Sequence, residues 1–528
     1  MSAGGYCASV TSTLYRGGTV LTPDLPAATA LLVADGRVAW VGAAADAPEA
    51  DAVVDLGGAL VTPGFVDAHA HVLDTGLRQA GLDLAGARGV ADVLAAVRAA
   101  VQGPVGRRLA SDGAPLTGYG WDEHAWAEGR PPTRAELDAA AGGAPVYLGR
   151  VDLHSGVVST SFARVLGLPE LPGWHEDGRV TGDAHAVART AVREAAGARR
   201  AELEDRVLAA AARAGIVALH EQSVPYADSR AGLADLLART ADAASGLPLV
   251  VGYRAERCET TDDARGLLAA VPGLTGIGGD LAVDGSLGSR TAVLRSPYAD
   301  APGDAGRLDL TAEQVCNHVA AVTRAGVQAA FHVIGDRAMD EVLLGFRAAS
   351  EVEGVEAVRR AGHRLEHASM LDAPALATLV LLGLTVSAQP AFDAAWGGDD
   401  GLYAARLGAG RAASLHPLAD LRAAGVPLAF GSDSPVTPFD PWGAVRAAVR
   451  HRTADQRLPV AAALAAHARG GWLAAGSGEP DAGLLRVGAP ADLAVWASAG
   501  LPALDPEDPA PECRRTVRGG IVLHDALG

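Results

Sequence analysis

Short apolar runs alternating with longer stretches rich in Ala, Leu, Arg and Glu fill the middle of this chain, and that alternation limits the possible fold more than any other feature. The runs are GIVALHE (215–221), PLVVGYRA (248–255), GDLAVDG (279–285), VQAAFHV (327–333), HRLEH (363–367), LTVSAQP (384–390) and VPLAFGSD (426–433). Each has the length of a strand and each leads into a segment long enough for a helix, so parallel strands joined by helical crossovers are expected. Together with VTPGFVDAHAHV (61–72) they make about eight repeats, the number at which a (β/α) barrel closes. The predicted class is therefore α/β, a (β/α)8 TIM-like barrel, with a doubly wound open sheet as the alternative.

The two ends of the chain read differently. From Thr11 to Leu60, β-type runs are broken by turn residues, and Asp35-Gly36 between two alternating apolar runs signals a hairpin. The same texture returns in GAPADLAVWA (488–497) and RRTVRGGIVLHD (514–525). One small β-sandwich domain built from both termini, 1–60 together with 480–528, is expected. The barrel should run from 61 to 479, with an insertion at about 72–214 that packs over the barrel mouth.

All 44 basic residues are arginine, since no lysine occurs anywhere in the 528 residues. This excludes a pyridoxal Schiff base, a P-loop lysine and a carbamylated lysine shared by two metals. A net charge of −18 argues against nucleic acid as a partner. The content of 49% hydrophobic and 20% charged residues is that of a globular chain. The four cysteines, Cys7, Cys258, Cys316 and Cys513, are widely spaced, as expected of incidental thiols in a reducing compartment. The N-terminus lacks a signal-peptide pattern, and the most apolar run (375–388) is too short to span a bilayer. A cytoplasmic protein with no membrane partner is expected, and homo-oligomerisation stays open.

Chemistry concentrates at strand ends. Residues two apart on a strand share a face, so His69 and His71 should aim together into the barrel mouth, where two imidazoles can share a divalent metal. His332, His367 and Asp433 close three further strands. Any one of these histidines alone reads as a hydrogen-bonded core residue. Four at strand ends, with an aspartate after the last strand, match the donors of a catalytic zinc-type site that keeps a coordination position for water.

On these residues, and on GWDEHAW, RVDLHS, DGSLGSRTA (284–292), HVIGDRA (332–338), HRLEHA (363–368), GSDSPV (431–436) and GxPADL (488–493), the chain resembles the amidohydrolase superfamily. Within it, the chain is similar to the family 3 branch that contains N-substituted formamide deformylase. The resemblance implies metal ligation by His69 and His71 after the first strand and by His332 and His367 after the fifth and sixth. It also implies that Asp433, after the eighth strand, binds metal and carries the proton from the attacking water to the leaving nitrogen. The implied cofactor is a divalent metal, Zn2+ first, with one or two per chain.

Two departures matter. Relatives often carry a metal-bridging lysine where this chain has Asp280. A direct Asp280 bridge is the alternative to the preferred expectation, a single metal bound by His69, His71, His332 and Asp433, with His367 assisting. A glutamate that relatives carry after Thr-Gly is also missing, the nearby polar residues being Asp183 and His185. His220 and Glu221, expected to end the third strand, face either a polar pocket or strand-end hydrogen bonds. His154, beside Asp152, and Arg290 are candidates for substrate contact, against a loop-structural role and a structural ion pair. Trp121, Asp122, Phe392 and Trp396 are candidates to line the substrate pocket. No role is expected for histidines 124, 175, 318, 416, 451, 467 and 524.

The function expected from these readings is hydrolysis of a non-peptide C–N bond (amide, N-formyl or cyclic amide) of a small organic molecule by metal-activated water. The alternatives are a single-metal heterocycle deaminase and a degenerate, non-catalytic ligand-binding relative.

Overall fold

The computed structural model describes residues 12–527 apart from 105, 107, 108, 110–112 and 506. Cys7 and the first eleven residues of the expected N-terminal module lie outside the described residues. At the centre is an eight-stranded sheet of β1 (Phe65–Ala70), β2 (Ile216–Ser223), β3 (Leu249–Arg254), β4 (Leu274–Ile277), β5 (Gln328–Val333), β6 (Arg364–His367), β7 (Thr385–Ala388) and β8 (Leu428–Phe430). Every neighbouring pair is parallel. Beyond β8, the Asp433 and His71 amides donate to the His69 and Ser434 carbonyls at 2.7 and 2.8 Å, joining the last strand to the first. This is the expected barrel, surrounded by helices, and not an open sheet. Two strand assignments shift. GDLAVDG is not a strand, because β4 ends at Ile277, and His220-Glu221 lies within the second barrel strand instead of ending the third.

The strands alternate as their sequences dictate. Outward residues such as Ile216, Leu219, Val250, Ala329, Phe331 and Leu365 join the main apolar core beneath the helices. The inward positions are unusually polar: Gln222, Tyr253, Gln328, Arg364 and Glu366 all lie inside the barrel, buried.

Both chain ends build β-structure on the side of the barrel where β1 begins. A four-stranded sheet orders Arg37–Gly42, Ala30–Ala34, Ser12–Arg16 and Ala52–Asp55, and a five-stranded sheet orders Thr19–Val20, Leu60–Pro63, Leu493–Trp496, Cys513–Arg518 and Ile521–Asp525. Their inner faces share one core that includes Tyr15, Leu31, Val61, Leu493 and Val517. The turn at Asp35 and Gly36 has φ of 51° and 72°, as a two-residue hairpin requires. Phe65 at the start of β1 packs edge-on against Trp442 and Trp496 with ring centroids 5.5 and 5.6 Å apart, anchoring the terminal sheets to the barrel. A further five-stranded sheet, formed by Arg179–Thr181, Ser155–Val158, Val146–Arg150, Leu116–Trp121 and Leu82–Asp83, comes from the segment between β1 and β2. No helix among the described residues is long and apolar enough to cross a membrane.

Candidate metal centre and substrate cleft

His69 and His71 leave the end of β1 on one face, and both imidazoles point at two carboxylates. Nε2 of His69 lies 3.4 Å, and Nε2 of His71 3.2 Å, from Oδ1 of Asp433. Asp280 stands on the other side. Its Oδ1 is 2.9 Å from Nδ1 of His332 and 3.7 Å from Nε2 of His367, and its Oδ2 is 3.6 Å from Nε2 of His71. The structure thus brings all six expected donors together at the C-terminal end of the barrel, the face on which (β/α)8 enzymes carry out their chemistry. Two of them sit on left-handed backbone, His367 at φ 66° and Asp433 at φ 55°. Such strain costs about 1–3 kcal/mol per residue and persists where the surroundings impose it.

The remaining ring nitrogens fix the tautomers. Nδ1 of His69 donates to Glu366 Oε2 at 2.8 Å, Nδ1 of His367 donates to Gln389 Oε1 at 2.7 Å, and Nε2 of His332 donates to the Gly285 carbonyl at 3.1 Å. In the deprotonated rings each bond leaves a lone pair aimed into the site, the arrangement that orients metal-ligating imidazoles. Nε2 of His69 is buried without a hydrogen-bond partner. Electrostatics agree with the geometry. Burial would raise the Asp433 and Asp280 carboxyls, but the imidazoles around them hold both well below the usual range. Burial would lower His332, yet Asp280 more than offsets it and holds the imidazole up to about 9. A cluster with these charges favours additional positive charge, and its nitrogen and oxygen donors fit a divalent metal.

The donors form three overlapping triads: His69, His367 and Asp433; His69, His71 and Asp280; and Asp280, His332 and His367. His332 shares a triad with Asp280 and His367.

Beneath the donors lies a charged network that the sequence reading did not single out. Arg364, fully buried, donates to Glu366 at 2.6 and 3.0 Å, to the Ala68 carbonyl at 2.7 Å, to Nδ1 of His220 at 2.9 Å and to the Tyr253 hydroxyl at 3.2 Å. Burial would raise Glu366, but Arg364 keeps it below its ordinary value, so it accepts from His69 as a carboxylate. His220 is consequently a barrel-interior partner of Arg364. The Glu221 carboxyl, pushed up to about 8 by burial, accepts from the Val72 amide at 2.6 Å, which is strand-end bonding. The available signal was the i, i+2 spacing of Arg364 and Glu366 on a strand, which puts both on the inner face.

Above the donors is a cleft whose apolar wall includes Leu287, Ile334, Phe392, Trp396, Tyr403 and Val436. Phe392 stacks on His367 with ring centroids 6.0 Å apart. Phe392 and Trp396 both line this cleft. His154 lines both this cleft and the adjoining lobe at the donors, its ring 5.1 Å from that of His332. Burial, reinforced by His332, brings its imidazole down to about 4, so it is neutral at pH 7. Behind it, Arg150 donates to Asp122, Glu123 and Asp152 at 2.7, 2.9 and 2.9 Å. Asp122 is thereby a structural partner of Arg150, and its other oxygen accepts from Trp396 Nε1 at 3.2 Å.

Three residues singled out in the sequence lie outside the cleft. Trp121 is packed against Trp126 in a separate core beside the cleft, with its Nε1 donating to the Leu148 carbonyl. Arg290 pairs with Asp300 at 2.7 Å outside the cleft lining, the structural ion pair weighed against substrate contact. His185, at the position of the missing glutamate, bonds the Tyr147 hydroxyl at 2.8 Å and faces packing, not the donors.

Comparison with known proteins agrees with this architecture. Residues 52–524 match the amidohydrolase family. Protein LONG AFTER FAR-RED 3 of Arabidopsis thaliana is 27% identical over 480 residues, covering 84% of this chain and 78% of its own. YtcJ of Bacillus subtilis (strain 168) is 26% identical over 422 residues, covering 76% of each. Among solved structures, metal-dependent hydrolases of unassigned role from Pyrococcus horikoshii OT3 and Pyrococcus furiosus superpose with TM-scores of 0.68 and 0.67, at 25% and 26% identity. They cover 92% of this chain and 97% and 98% of their own. With the histidines and aspartates gathered at the barrel mouth and the family match running through nearly the whole chain, this protein belongs to the amidohydrolase family, a metal-dependent hydrolase acting on carbon–nitrogen bonds.

Proposed function

We propose that this protein hydrolyses a non-peptide C–N bond, an amide, N-formyl or cyclic amide, in a small organic molecule with an apolar body. The observation that carries the reading is the meeting of four imidazoles and two carboxylates directly below a cleft walled by Leu287, Phe392 and Trp396. His69, His71, Asp280, His332, His367 and Asp433 are the residues that would hold the metal, and their imidazole and carboxylate donors suit zinc. When bound, such a metal acidifies water and polarises a carbonyl.

The protein's own groups supply the proton movements and the positioning. Asp433, held as a carboxylate at neutral pH, accepts a proton from the attacking water as its oxygen bonds the carbonyl carbon and the C=O pair moves onto oxygen. When the C–N bond breaks, Asp433 returns that proton to the leaving nitrogen, so atoms and charge balance. Neutral His154 offers a hydrogen bond to the substrate carbonyl, and Phe392 and Trp396 cover its apolar part and exclude water.

Asp433→Asn should abolish turnover of every substrate while metal content stays near wild type. The wild-type enzyme should release amine from a panel of amides, N-formyl amines and cyclic amides. Ammonia release from aminated heterocycles, with no cleavage anywhere in that panel, would instead identify a deaminase. Full activity of Asp433→Asn would remove its assignment as the proton carrier.

A further inference from the structure

We propose that a second cavity, between the helices Pro390–Trp396 and Pro441–Val449, binds a small organic acid through Arg446 and Arg452, and that its occupancy is felt at the substrate cleft. This site is separate from the metal donors and goes beyond the hydrolase reading. Its apolar wall is made of small residues, Ala391, Ala394, Pro438, Ala444 and Ala447, which leave room for a compact ligand body.

Arginines supply the charge. Arg446, Arg450 and Arg452 all line the cavity, in a chain whose net charge is −18. Asp505 pairs with Arg450. Among the described residues, Arg446 and Arg452 meet no carboxylate within ion-pair distance, and they donate instead to the carbonyls of Asp508 at 2.7 Å and Ala394 at 3.1 Å. Nε of Arg446 is buried without a hydrogen-bond partner, and such an orphaned donor is rare unless a ligand or water completes it. Asp393 and Asp440 also line the cavity, each tied to a backbone amide, of Arg452 at 2.7 Å and of Gly443 at 2.8 Å. Two carboxylates in the wall limit the negative charge the cavity tolerates, so a carboxylate monoanion fits it better than a dianionic phosphate. The floor is polar, with Ser432, Thr437 and His467 buried there. Burial lowers the His467 imidazole, so the ring is neutral at pH 7. Its Nδ1 donates to the Val66 carbonyl at 3.0 Å, which leaves Nε2 as an acceptor for a ligand hydroxyl.

The walls of this cavity are the backs of the elements that build the cleft. Ala391, Asp393 and Ala394 face it from the helix whose Phe392 and Trp396 line the cleft. Ser432 and Thr437 face it from the loop that presents Asp433 to the donors. That loop is tied together, with Thr437 Oγ1 donating to the Ser432 carbonyl and Ser434 N donating to Ser432 Oγ at 2.9 Å. It is also fixed to β1, because Ser432 N donates to Asp67 Oδ1 at 2.9 Å. A ligand resting on Ala394 and Thr437 therefore bears on the same short segments that place Trp396 and Asp433, and closely packed interiors transmit such displacements.

The test uses chelator-stripped full-length protein and trans-4-hydroxycyclohexanecarboxylate, a saturated acid that does not interfere with tryptophan fluorescence. Titration calorimetry should show saturable binding, and the neutral carboxamide of the same ring should bind at least about tenfold more weakly. Arg446→Met should weaken the acid by a similar factor. Ala394→Phe, a substitution at an exposed position of the wall that keeps every charge, should block binding by filling the cavity. Should Arg446→Met fail to fold, Ala394→Phe and the carboxamide decide the question. Tryptophan fluorescence should change on binding in wild type and not in Trp396→Phe. Equal affinity for acid and carboxamide, or wild-type affinity in Ala394→Phe, would overturn the site. Binding that leaves the Trp396 signal unchanged would overturn its link to the cleft, and tighter binding of inorganic phosphate than of the acid would overturn the carboxylate assignment. Because the protein is stripped of metal and no bond is cleaved, these results stand or fall independently of the hydrolase reading.

Discussion

Replacing Glu366 by Gln tests the buried network that supports the metal centre. The side chains are nearly isosteric, so the change is one of charge inside a fully buried site. Two effects follow. Arg364 loses the anion that takes two of its hydrogen bonds, at 2.6 and 3.0 Å, and its remaining partners, a carbonyl, an imidazole nitrogen and a hydroxyl, are all neutral. Removing one member of a buried ion pair costs about 3–5 kcal/mol. Separately, His69 loses the carboxylate acceptor on Nδ1, and loss of such a partner typically weakens metal binding 10–100-fold, about 1.4–2.7 kcal/mol. The first cost is read in the metal-free protein as a lower urea midpoint, the second as a raised metal dissociation constant in chelator competition. Arg364→Met combined with Glu366→Leu should destabilise the metal-free protein less than Glu366→Gln alone, because no uncompensated charge remains. A wild-type urea midpoint together with wild-type metal affinity in Glu366→Gln would refute the reasoning.

Other outcomes follow from the cleft and its supports. Asp152, which burial alone would raise, is held down to about 2, chiefly by Arg150. With the folded value below the unfolded one, its contribution, on the order of 2 kcal/mol, is present above about pH 4 and is lost as pH falls towards 2. Stability should therefore drop more gently between pH 4 and 2 in Asp152→Asn than in wild type, and equal slopes would contradict the assignment. Arg150→Met strands three carboxylates and should lower the urea midpoint by an amount corresponding to about 3 kcal/mol or more; a midpoint within error of wild type would count against it. Trp396→Ala should raise KM for apolar substrates about tenfold with kcat little changed, since it removes contact made equally in the ground and transition states. A fall in kcat alone would place Trp396 nearer the chemistry.

Much of the scaffold was legible because it rests on period. Strand-length apolar runs separated by helical segments specify parallel strands, and seven of the eight runs lie on barrel strands, while the fourth strand, β4, precedes GDLAVDG. His69 and His71, two apart on a strand, must share a face. Residues whose role depends on a partner distant in sequence were not legible. Arg290 and Trp121 sit close in sequence to recognisable motifs, yet Asp300 claims the first and the core around Trp126 the second. His220 lies on a barrel strand, but Arg364, 144 residues away, draws it into the interior.

Composition alone determined that this chain can neither bridge metals through a modified lysine nor form a Schiff base, since the required amine is absent. The sequence also determined which imidazoles reach the barrel mouth, because strand periodicity is local. Only the tertiary structure decided where Asp280 sits. Its position depends on the left-handed Gly278–Gly279 step, on the Ala330 carbonyl against which that step is pressed, and on four histidines from three other strands. Such convergence arises from barrel closure and register, which no window of sequence contains.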